Sequence, residues 1–334
     1  MKPNNVKDFN AVGDGLTADD AAIQQALDLA GHVVIPAGDY RITRTLKIAS
    51  KTHLELLPGA RLIHCGDTPK KRGDFLLTNR NHADGDHDIK ITGGVFDGNN
   101  QGKYNTKDND NLFNPEAWSG TVLNFFNVKN LVLEDFEIAN SVVYYTRFCK
   151  IEDFIIKNIR FSSEKPAFNQ DGLHFAGFVR HGWVENIRAV TPGQTNDDML
   201  ALNADDSLVR LENRDLLCGP IEDIVFRDIF ADDCHAAIRM LSVNSPIRNL
   251  KFYNLVCGCR NFAINMDGAR YCRTPLVTPE GENDYPEGTG LVENIEIDGF
   301  YIHSSRPVRE KGMICCETRV RNFTVKNLVS NYKI

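Results

Sequence analysis

NLVLEDF (residues 130–136), DFIIKNI (153–159), DIVFRDI (223–229) and NLKFYNL (249–255) are copies of one short pattern. Each copy opens with Asn or Asp and then alternates apolar and polar residues, as a β-strand with one buried face does. The interval between copies ranges from 23 to 45 residues, whereas propellers and leucine-rich repeats keep a tighter period. Constant strands at a variable interval predict a parallel β-helix whose coils carry loops of different length. The other copies are DIKITGG from Asp88, NIRAV from Asn186, NIEIDGF from Asn294 and NFTVKNL from Asn322.

A second set of short strands alternates with the first, so that one coil contains one strand of each kind. Side chains alternate between the two faces of a strand, so the apolar third and fifth residues of each member should point inward and the fourth outward. We therefore expect Leu173, Leu200 and Ile238 to be buried, and Tyr144, His174 and Arg239 to be exposed on one face. The alternative is an ordinary solvated surface. The members are TVLNFF from Thr121, SVVYYT from Ser141, DGLHFA from Asp171, DMLALN from Asp198, AAIRML from Ala236, FAINMD from Phe262 and GMICCE from Gly312, and the outward column is Asn124, Tyr144, His174, Ala201, Arg239, Asn265 and Cys315.

The N-terminal stretch DGLTADDAAIQQALDLA (14–30) has apolar residues at helical spacing, with Thr17 or Asp19 as its helix cap. Such a helix can close the open end of a solenoid, whose terminal coils need a cap. We therefore predict one all-β domain over residues 1–334. Residues 1–50 form its N-terminal cap region and residues 85–334 its main coils.

Composition limits the classes of function. The net charge of −7 argues against nucleic acid, which needs a basic face. No run of about 18 apolar residues appears, so no membrane span is expected. No apolar signal segment opens the chain, so we expect a cytoplasmic protein, or a secreted one if a leader was removed. The nine cysteines lack zinc spacing and are expected to be buried thiols. No metal or cofactor is expected, and the oligomeric state is left open.

A cluster of aspartates marks the candidate site. Asp171 and Asp198 begin adjacent members of the second set, so their Cα atoms should lie about 5 Å apart. Asp197 precedes Asp198 directly. Glycoside hydrolysis requires such a group of carboxyls, one protonated for the leaving oxygen and one ionised to activate water. The alternative is that aspartates cap turns, which is our interpretation of Asp205 and Asp206.

The sequence resembles glycoside hydrolase family 28, the polygalacturonase-like enzymes of the pectin-lyase-like superfamily. The first two matching stretches are specific for the fold, and the last two are moderately specific for activity. The resemblance implies a single-stranded right-handed parallel β-helix with a short N-terminal capping helix. The stretches are DFNAVGDGLTADDAAIQQAL (8–27), ITGGVFDGNNQGKY (91–104), NQDG (169–172), similar to the family's Asn-Thr-Asp-Gly, and NDDMLAL (196–202), similar to its Gly-Asp-Asp-Cys-Ile-Ala-Ile.

The resemblance also implies residue roles for an inverting hydrolysis. It places the general acid on Asp197 and the water-activating pair on Asp171 and Asp198. His235 is the candidate for the family's Gly-His-Gly histidine, although it lacks the flanking glycines and lies about one residue out of register. It is equally open to a plain hydrogen-bonding role.

The family's Arg-Ile-Lys, which binds the acidic sugar, is replaced here by Ala-Ile-Asn ending at Asn265. Arg239 lies one coil before this stretch and Arg270 lies just after it. The replacement therefore bears on the specificity for a uronic acid more than on the hydrolysis itself. The full set of expected substrate-binding residues is Tyr144, His174, Asn203, Arg239, Asn265, Asp267 and Arg270.

We expect a glycosidase that acts on a pectin-type or related oligosaccharide and cleaves from a chain end. Long loops around Asn99–Trp118 and Thr274–Gly290 would wall off a pocket, unless they are plain surface insertions. Two alternatives stay open. The first is a polysaccharide lyase or sugar epimerase with His174, Tyr144 or Arg239 as base, sometimes with Ca²⁺. The second is a non-catalytic carbohydrate-binding β-helix, such as a fibre or spike domain.

Overall fold

The computed structural model describes residues 2–65, 75–100, 120–208, 210–268, 290–305 and 312–332. Within these ranges the structure is nearly all β, with one α-helix, α1, at Asp20–Asp28 and short 3₁₀ helices at Val6–Phe9 and Leu211–Asn213. The strands are β1 Asn4–Asn5, β2 Asp14–Ala18, β3 Gly31–Ile35, β4 Gly38–Ile42, β5 Leu46–Ile48, β6 Thr52–Leu56, β7 Ala60–His64, β8 Leu77–Asn79, β9 Asp86–Thr92, β10 Val95–Asp97, β11 Leu123–Ala139, β12 Thr146–Ser162, β13 Leu173–Phe175, β14 Val179–Ala189, β15 Leu200–Asn203, β16 Ile221–Cys234, β17 Ile238–Leu241, β18 Pro246–Cys259, β19 Ile264–Asp267, β20 Leu291–Ser304, β21 Ile314–Cys316 and β22 Val320–Ser330.

The described strands form one open, unclosed sheet of parallel pairings between successive coils. The first set of sequence copies lies in the stack β9–β11–β12–β14–β16–β18–β20–β22. The second set lies in the stack β8–β11–β12–β13–β15–β17–β19–β21. One strand of each set per coil is what the two interleaved patterns predicted. The arrangement is consistent with a right-handed parallel β-helix.

The Asn or Asp that opens each copy of the first set has a backbone reason to be there. All eight opening residues have positive φ, between 51° and 58°, a region that Asn and Asp tolerate better than other residues with a side chain. Their side chains also stack along the helix. The amide of Asn249 donates to Asp223 (2.9 Å), that of Asn294 to Asn249 (3.0 Å) and that of Asn322 to Asn294 (2.9 Å). The repeated Asn or Asp is therefore a turn residue that links successive coils.

The core runs along the inside of the coils. Leu173, Leu200 and Ile238 are completely buried, which confirms the inward columns. Phe148 stacks on Phe175 with ring centroids 5.1 Å apart. Such stacked rings fill the interior of consecutive coils with closely packed apolar volume.

Helix α1 buries Ile23, Ala26 and Leu27 in this same core. The expectation about its cap needs a correction. Asp19 occupies the N-cap position but makes no side-chain hydrogen bond to the helix. Its carboxylate accepts instead from the backbone N–H groups of Val12 (2.6 Å) and Gly13 (3.0 Å), so it fixes the turn that leads into the helix. Thr17 bonds Asp14 (3.0 Å).

Candidate active site

The outward column lies across the second stack of strands, and its register differs from the prediction at one residue. Arg147, not Tyr144, pairs with His174. The reason is that strand β12 begins only at Thr146, while Val142, Val143 and Tyr144 form a separate small apolar cluster. The column is Thr78, Asn124, Arg147, His174, Ala201, Arg239, Asn265 and Cys315.

Asp171, Asp197 and Asp198 lie just before β13 and β15, where adjacent coils meet. The Gly172 N–H donates to the carbonyl of Asp198 (2.9 Å), and the Asp198 N–H donates to Oδ1 of Asp171 at 3.4 Å. Asp171 and Asp198 are buried, whereas the Asp197 side chain is 25% exposed. Parallel pairing of the coils therefore brings together the three aspartates that the sequence separates, and leaves Asp197 accessible.

Two cations adjoin this cluster. His235 Nδ1 lies 3.2 Å from Asp197 and 3.4 Å from Asp198, and its side chain is 41% exposed. Arg239 Nε donates to Asp267 at 2.8 Å and lies 3.9 Å from Asp198 Oδ2. The predicted association of His235 with the aspartates is thus present in the geometry, despite its shift in register.

The local electrostatics shift the pKa of Asp197 in the opposite direction to the pKa values of Asp171 and Asp198. Burial, and then the negative charge of Asp197, raises the pKa of Asp198 to about 7. The same two causes, in the same order, raise the pKa of Asp171. Burial also acts on Asp197, but the hydrogen bond and charge of His235 outweigh it and lower the pKa of Asp197. Near neutral pH the cluster therefore holds both a proton donor and an ionised carboxylate.

The expectation that Tyr144 and His174 are exposed is wrong. Tyr144 is 1% and His174 is 0% exposed. His174 uses both ring nitrogens inside the protein, with Nδ1 2.7 Å from Asp171 and Nε2 2.8 Å from Asp206. The Tyr144 hydroxyl donates to Asn213 at 2.8 Å. In this structure neither residue offers a polar group to a sugar.

The cause is a stretch of chain, residues 205–208 and 210–217, here called the crossing segment, which lies over the column. Arg147 Nη1 donates to the carbonyls of Glu212 and Arg214, each at 2.9 Å. Leu216 packs in a buried cluster with Cys149 and Ala176. The crossing segment closes the face of the helix over the coils of β12 and β13.

The sequence predicts turn caps at Asp205 and Asp206, where the crossing segment begins. Asp205 has that role, because its Oδ2 accepts from the backbone N–H groups of residues 243–245 at 2.6–2.7 Å. Asp206 instead bonds His174. Arg210, which the sequence did not single out, lies close enough to contribute to the lowered pKa of Asp197. No local pattern marks these residues, since only the path of the segment brings them to the column.

The remaining predicted binding residues lie at the ends of β15 and β19. Asn203 is fully buried, and its amide donates to Asp206 (3.3 Å). Asp267 is buried against Arg239, and Asn265 is 7% exposed with an amide oxygen that has no partner among the described residues. Arg270 and most of the two long loops lie outside the described residues.

Among the side chains that the structure describes, two groups have the chemistry to hold a cation. Within each group the ligand atoms lie within 4.8 Å of one another. One group is Asp197, Asp198 and His235; the other is Glu152, Asp153 and His181, on another part of the surface. Lys129 lies 3.5 Å from Asp153 and neutralises the second group in part.

Comparison with known proteins agrees with the fold. A family model described as "Rhamnogalacturonase A/epimerase, pectate lyase-like" matches residues 4–55. A polygalacturonase of Persea americana is 23% identical over 223 residues, which are 65% of this chain and 46% of that protein. The solved family 28 exopolygalacturonase of Yersinia enterocolitica superposes with a TM-score of 0.56 at 18% identity, over 98% of this chain and 78% of that chain. The fold is that of a polygalacturonase-like parallel β-helix.

The chain is also similar to a protein of another kind. A pre-neck appendage protein of Bacillus phage B103 is 35% identical over 100 residues, which are 29% of this chain and 11% of that protein. The aligned part covers less than half of either curated relative. Among the residues of this chain that the structure describes, no helix is long and apolar enough to cross a membrane. These likenesses show the fold, and the chemistry has to be argued from the site.

Proposed function

We propose that this protein is an inverting glycoside hydrolase that acts on a pectin-type or related oligosaccharide. The observation that carries the proposal is the meeting of Asp171, Asp197 and Asp198 beside His235 on one face of the helix. Hydrolysis with inversion needs one carboxyl that donates a proton and one carboxylate that activates water. A cluster that holds a proton on one carboxyl and a charge on its neighbour at neutral pH provides both.

We propose that Asp197 is the general acid and that it receives its proton from Asp198. Asp198, once ionised, then acts with Asp171 as the base that accepts a proton from the attacking water. The resemblance places the acid on Asp197, which is the accessible member of the pair. In the unliganded site the proton resides on Asp198, because His235 favours the ionised form of Asp197. Binding of a sugar against His235 would weaken its hold on Asp197 and allow the proton to pass to the exposed carboxyl.

We further propose that the enzyme acts from a chain end. The crossing segment closes the column over β12 and β13, so a sugar chain that reaches Asp197 has one side of the groove blocked. Arg239 adjoins Asp198 and provides a guanidinium for the carboxylate of a uronic acid. A net charge of −7 does little to attract a long polyanion. Short oligosaccharides, uronic or neutral, are therefore the proposed substrates.

A lyase or epimerase on the same fold is the second candidate, because the matching family model includes epimerases and is described as pectate lyase-like. Such an enzyme needs a base that removes the proton beside a carboxylate. The burial of Tyr144 and His174 leaves His235 as the accessible imidazole in the described site. The likeness to a phage appendage protein favours a third candidate, a non-catalytic carbohydrate-binding domain.

One incubation separates the three candidates. The protein is mixed with a panel of pectin fragments, and the products are followed by reducing-end assay, ultraviolet absorbance and NMR. A hydrolase releases saturated reducing ends, and an inverting one gives first the anomer opposite to that of the substrate. A lyase gives an unsaturated ring that absorbs in the ultraviolet, an epimerase changes the sugar without cleavage, and a binding domain gives no product. Saturated ends that disappear in Asp197→Asn support the proposal, and any other product refutes it.

A further inference from the structure

His174 is held between two carboxylates with no access to solvent. Its Nδ1 lies 2.7 Å from Oδ2 of Asp171, and its Nε2 lies 2.8 Å from Oδ2 of Asp206. The ring stacks on Tyr144 with centroids 3.9 Å apart and an angle of 20° between the planes. Protein groups therefore contact both ring nitrogens and shield the whole imidazole from solvent.

With both carboxyls ionised, the geometry favours an imidazole that carries a proton on each ring nitrogen. A neutral imidazole has one N–H, and its other nitrogen would turn a lone pair towards a carboxylate oxygen. Asp206 also accepts from the amide of Asn203 (3.3 Å) and from the backbone N–H of Ser207 (3.0 Å), which favours its ionised form. Although burial opposes it, the hydrogen bonds from His174 to Asp171 and Asp206 raise the pKa of His174 to about 9. The same contacts, again against burial, lower the pKa of Asp206 to about 2.

Other charges face this group from each neighbouring element. Arg147 lies beside His174 on β12, and the crossing segment contributes Arg210 and Glu212 near Tyr144 and Asp206. Arg239 on β17 acts on Asp171 and Asp206, and Asp197 acts on Asp171. Among these contacts, the two carboxylates that touch the ring are the ones that decide its charge.

We propose that His174 is a positioning residue: a buried imidazolium, held charged by Asp206, that favours the ionised form of Asp171 and fixes its orientation beside Asp198. The proposal rests on the proposed function for its role in catalysis, but its electrostatic part can be measured without any substrate. Asp171 has its Oδ2 bonded to His174 and its Oδ1 facing the Asp198 N–H at 3.4 Å. The pairing of His174 with Asp171 and Asp206 is here called the clamp. It determines both the direction in which the Asp171 carboxylate points and its readiness to accept a proton.

The test uses the whole chain of residues 1–334 and two substitutions. Asp206→Asn keeps the shape and can still accept or donate one hydrogen bond, but removes the charge that holds the proton on His174. His174→Gln removes the cation next to Asp171. Asp215→Asn, at an exposed position near the end of the same crossing segment, is the matched control. Thermal unfolding checks that each variant folds.

NMR titration of labelled histidine and aspartate side chains gives the readout that does not depend on activity. Hydrogen bonds to Asp197 and Asp198 raise the pKa of His235 to about 10, so we expect two histidines of the wild type, His174 and His235, to stay doubly protonated through pH 8. The signal of His174 is the one of these two that is absent from His174→Gln. In Asp206→Asn that signal should titrate at least one pH unit lower, and in His174→Gln the carboxyl of Asp171 should titrate at a higher pH. Asp215→Asn should match the wild type. A His174 that titrates near its ordinary pKa of about 6.5, or an Asp171 carboxyl unchanged by His174→Gln, overturns the proposal.

Kinetics then test the role in the reaction. On a hydrolysed oligosaccharide we expect Asp206→Asn to lose kcat on the order of tenfold with little change in KM, and its acid limb to move to higher pH. A kcat and pH profile equal to those of Asp215→Asn overturn the positioning role. Absence of hydrolysis by the wild type contradicts the proposed function, while the titrations still decide whether the clamp exists.

Discussion

Replacement of Asp198 by asparagine is expected to destroy activity and yet make the folded protein more stable at alkaline pH. Burial and the neighbouring Asp197 disfavour the ionised carboxyl, and raise its pKa from 3.8 to about 7. The folded protein therefore binds this proton more tightly than the unfolded chain does. The contribution of Asp198 to stability accordingly falls as pH rises from about 4 to about 7. An amide of the same shape has no charge to desolvate.

The magnitude follows from the two pKa values. At about 1.4 kcal/mol per pH unit, the rise from 3.8 to about 7 corresponds to at most about 4 kcal/mol of unfolding free energy at pH 8. The contacts that asparagine would weaken are long, 3.4 Å to His235 and 3.9 Å to Arg239, so the charge effect should dominate. With an unfolding entropy of about 2.1 cal/mol/K per residue, the expected gain in Tm is at most about 6 °C.

The assay is thermal and urea unfolding of the wild type, Asp198→Asn and Asp197→Asn at pH 8 and pH 4. Asp197→Asn is the matched control, because His235 lowers the pKa of Asp197 and its ionised form favours folding. We expect Asp198→Asn to gain stability at pH 8 and Asp197→Asn to lose it. The gain of Asp198→Asn should vanish towards pH 4, whereas the loss of Asp197→Asn should persist there, because the lowered pKa of Asp197 lies below the ordinary value of 3.8. A Tm of Asp198→Asn at or below that of the wild type at pH 8, or a gain independent of pH, would refute the argument.

Four further outcomes are expected. Asp171→Asn and Asp197→Asn should fold and lose kcat about 10²- to 10⁴-fold in a reducing-end assay; near-normal turnover of Asp197→Asn would show that this residue is not the acid. Leu200→Ala, which empties a completely buried site, should lower the unfolding free energy by about 2–5 kcal/mol, and a loss well under 1 kcal/mol would contradict the inward column. Arg239→Gln should raise KM for uronic oligosaccharides more than for neutral ones, and equal effects would count against carboxylate recognition. Turnover should be faster on di- to tetrasaccharides than on polygalacturonate, and a steep early fall in viscosity of the polymer would exclude action from a chain end.

The sequence alone was sufficient for the coil and for its inner face. Asn or Asp recurs at positions such as Asn130 and Asp153 because the backbone there has positive φ, which favours these two residue types. Leu173 and Leu200 recur because alternate side chains of a strand point into the core. Both requirements act over a few residues, so they appear as a local pattern. Stacking of successive coils then implied that Asp171 and Asp198 would be neighbours.

The prediction of the outward face was less complete, since that face depends on where strands begin and on what covers them. The segment from Ser141 has the alternation of a strand, but β12 begins only at Thr146, which moves Arg147 into the column in place of Tyr144. No rule of spacing marks this change. It follows from a buried cluster around Tyr144 that forms only in the folded chain.

Only the tertiary structure determines that the crossing segment lies over the outward column. In the sequence, Asp206 is a polar residue after a strand, and aspartates in that position are most often turn caps. In the folded protein it reaches His174 across 32 residues of chain, and Asn213 reaches Tyr144 across 69. A strand pattern records which side chains face the core, because burial selects apolar residues at every second position. It does not record which loop lies over the other face, because hydrogen bonds between distant polar residues impose no period on the sequence.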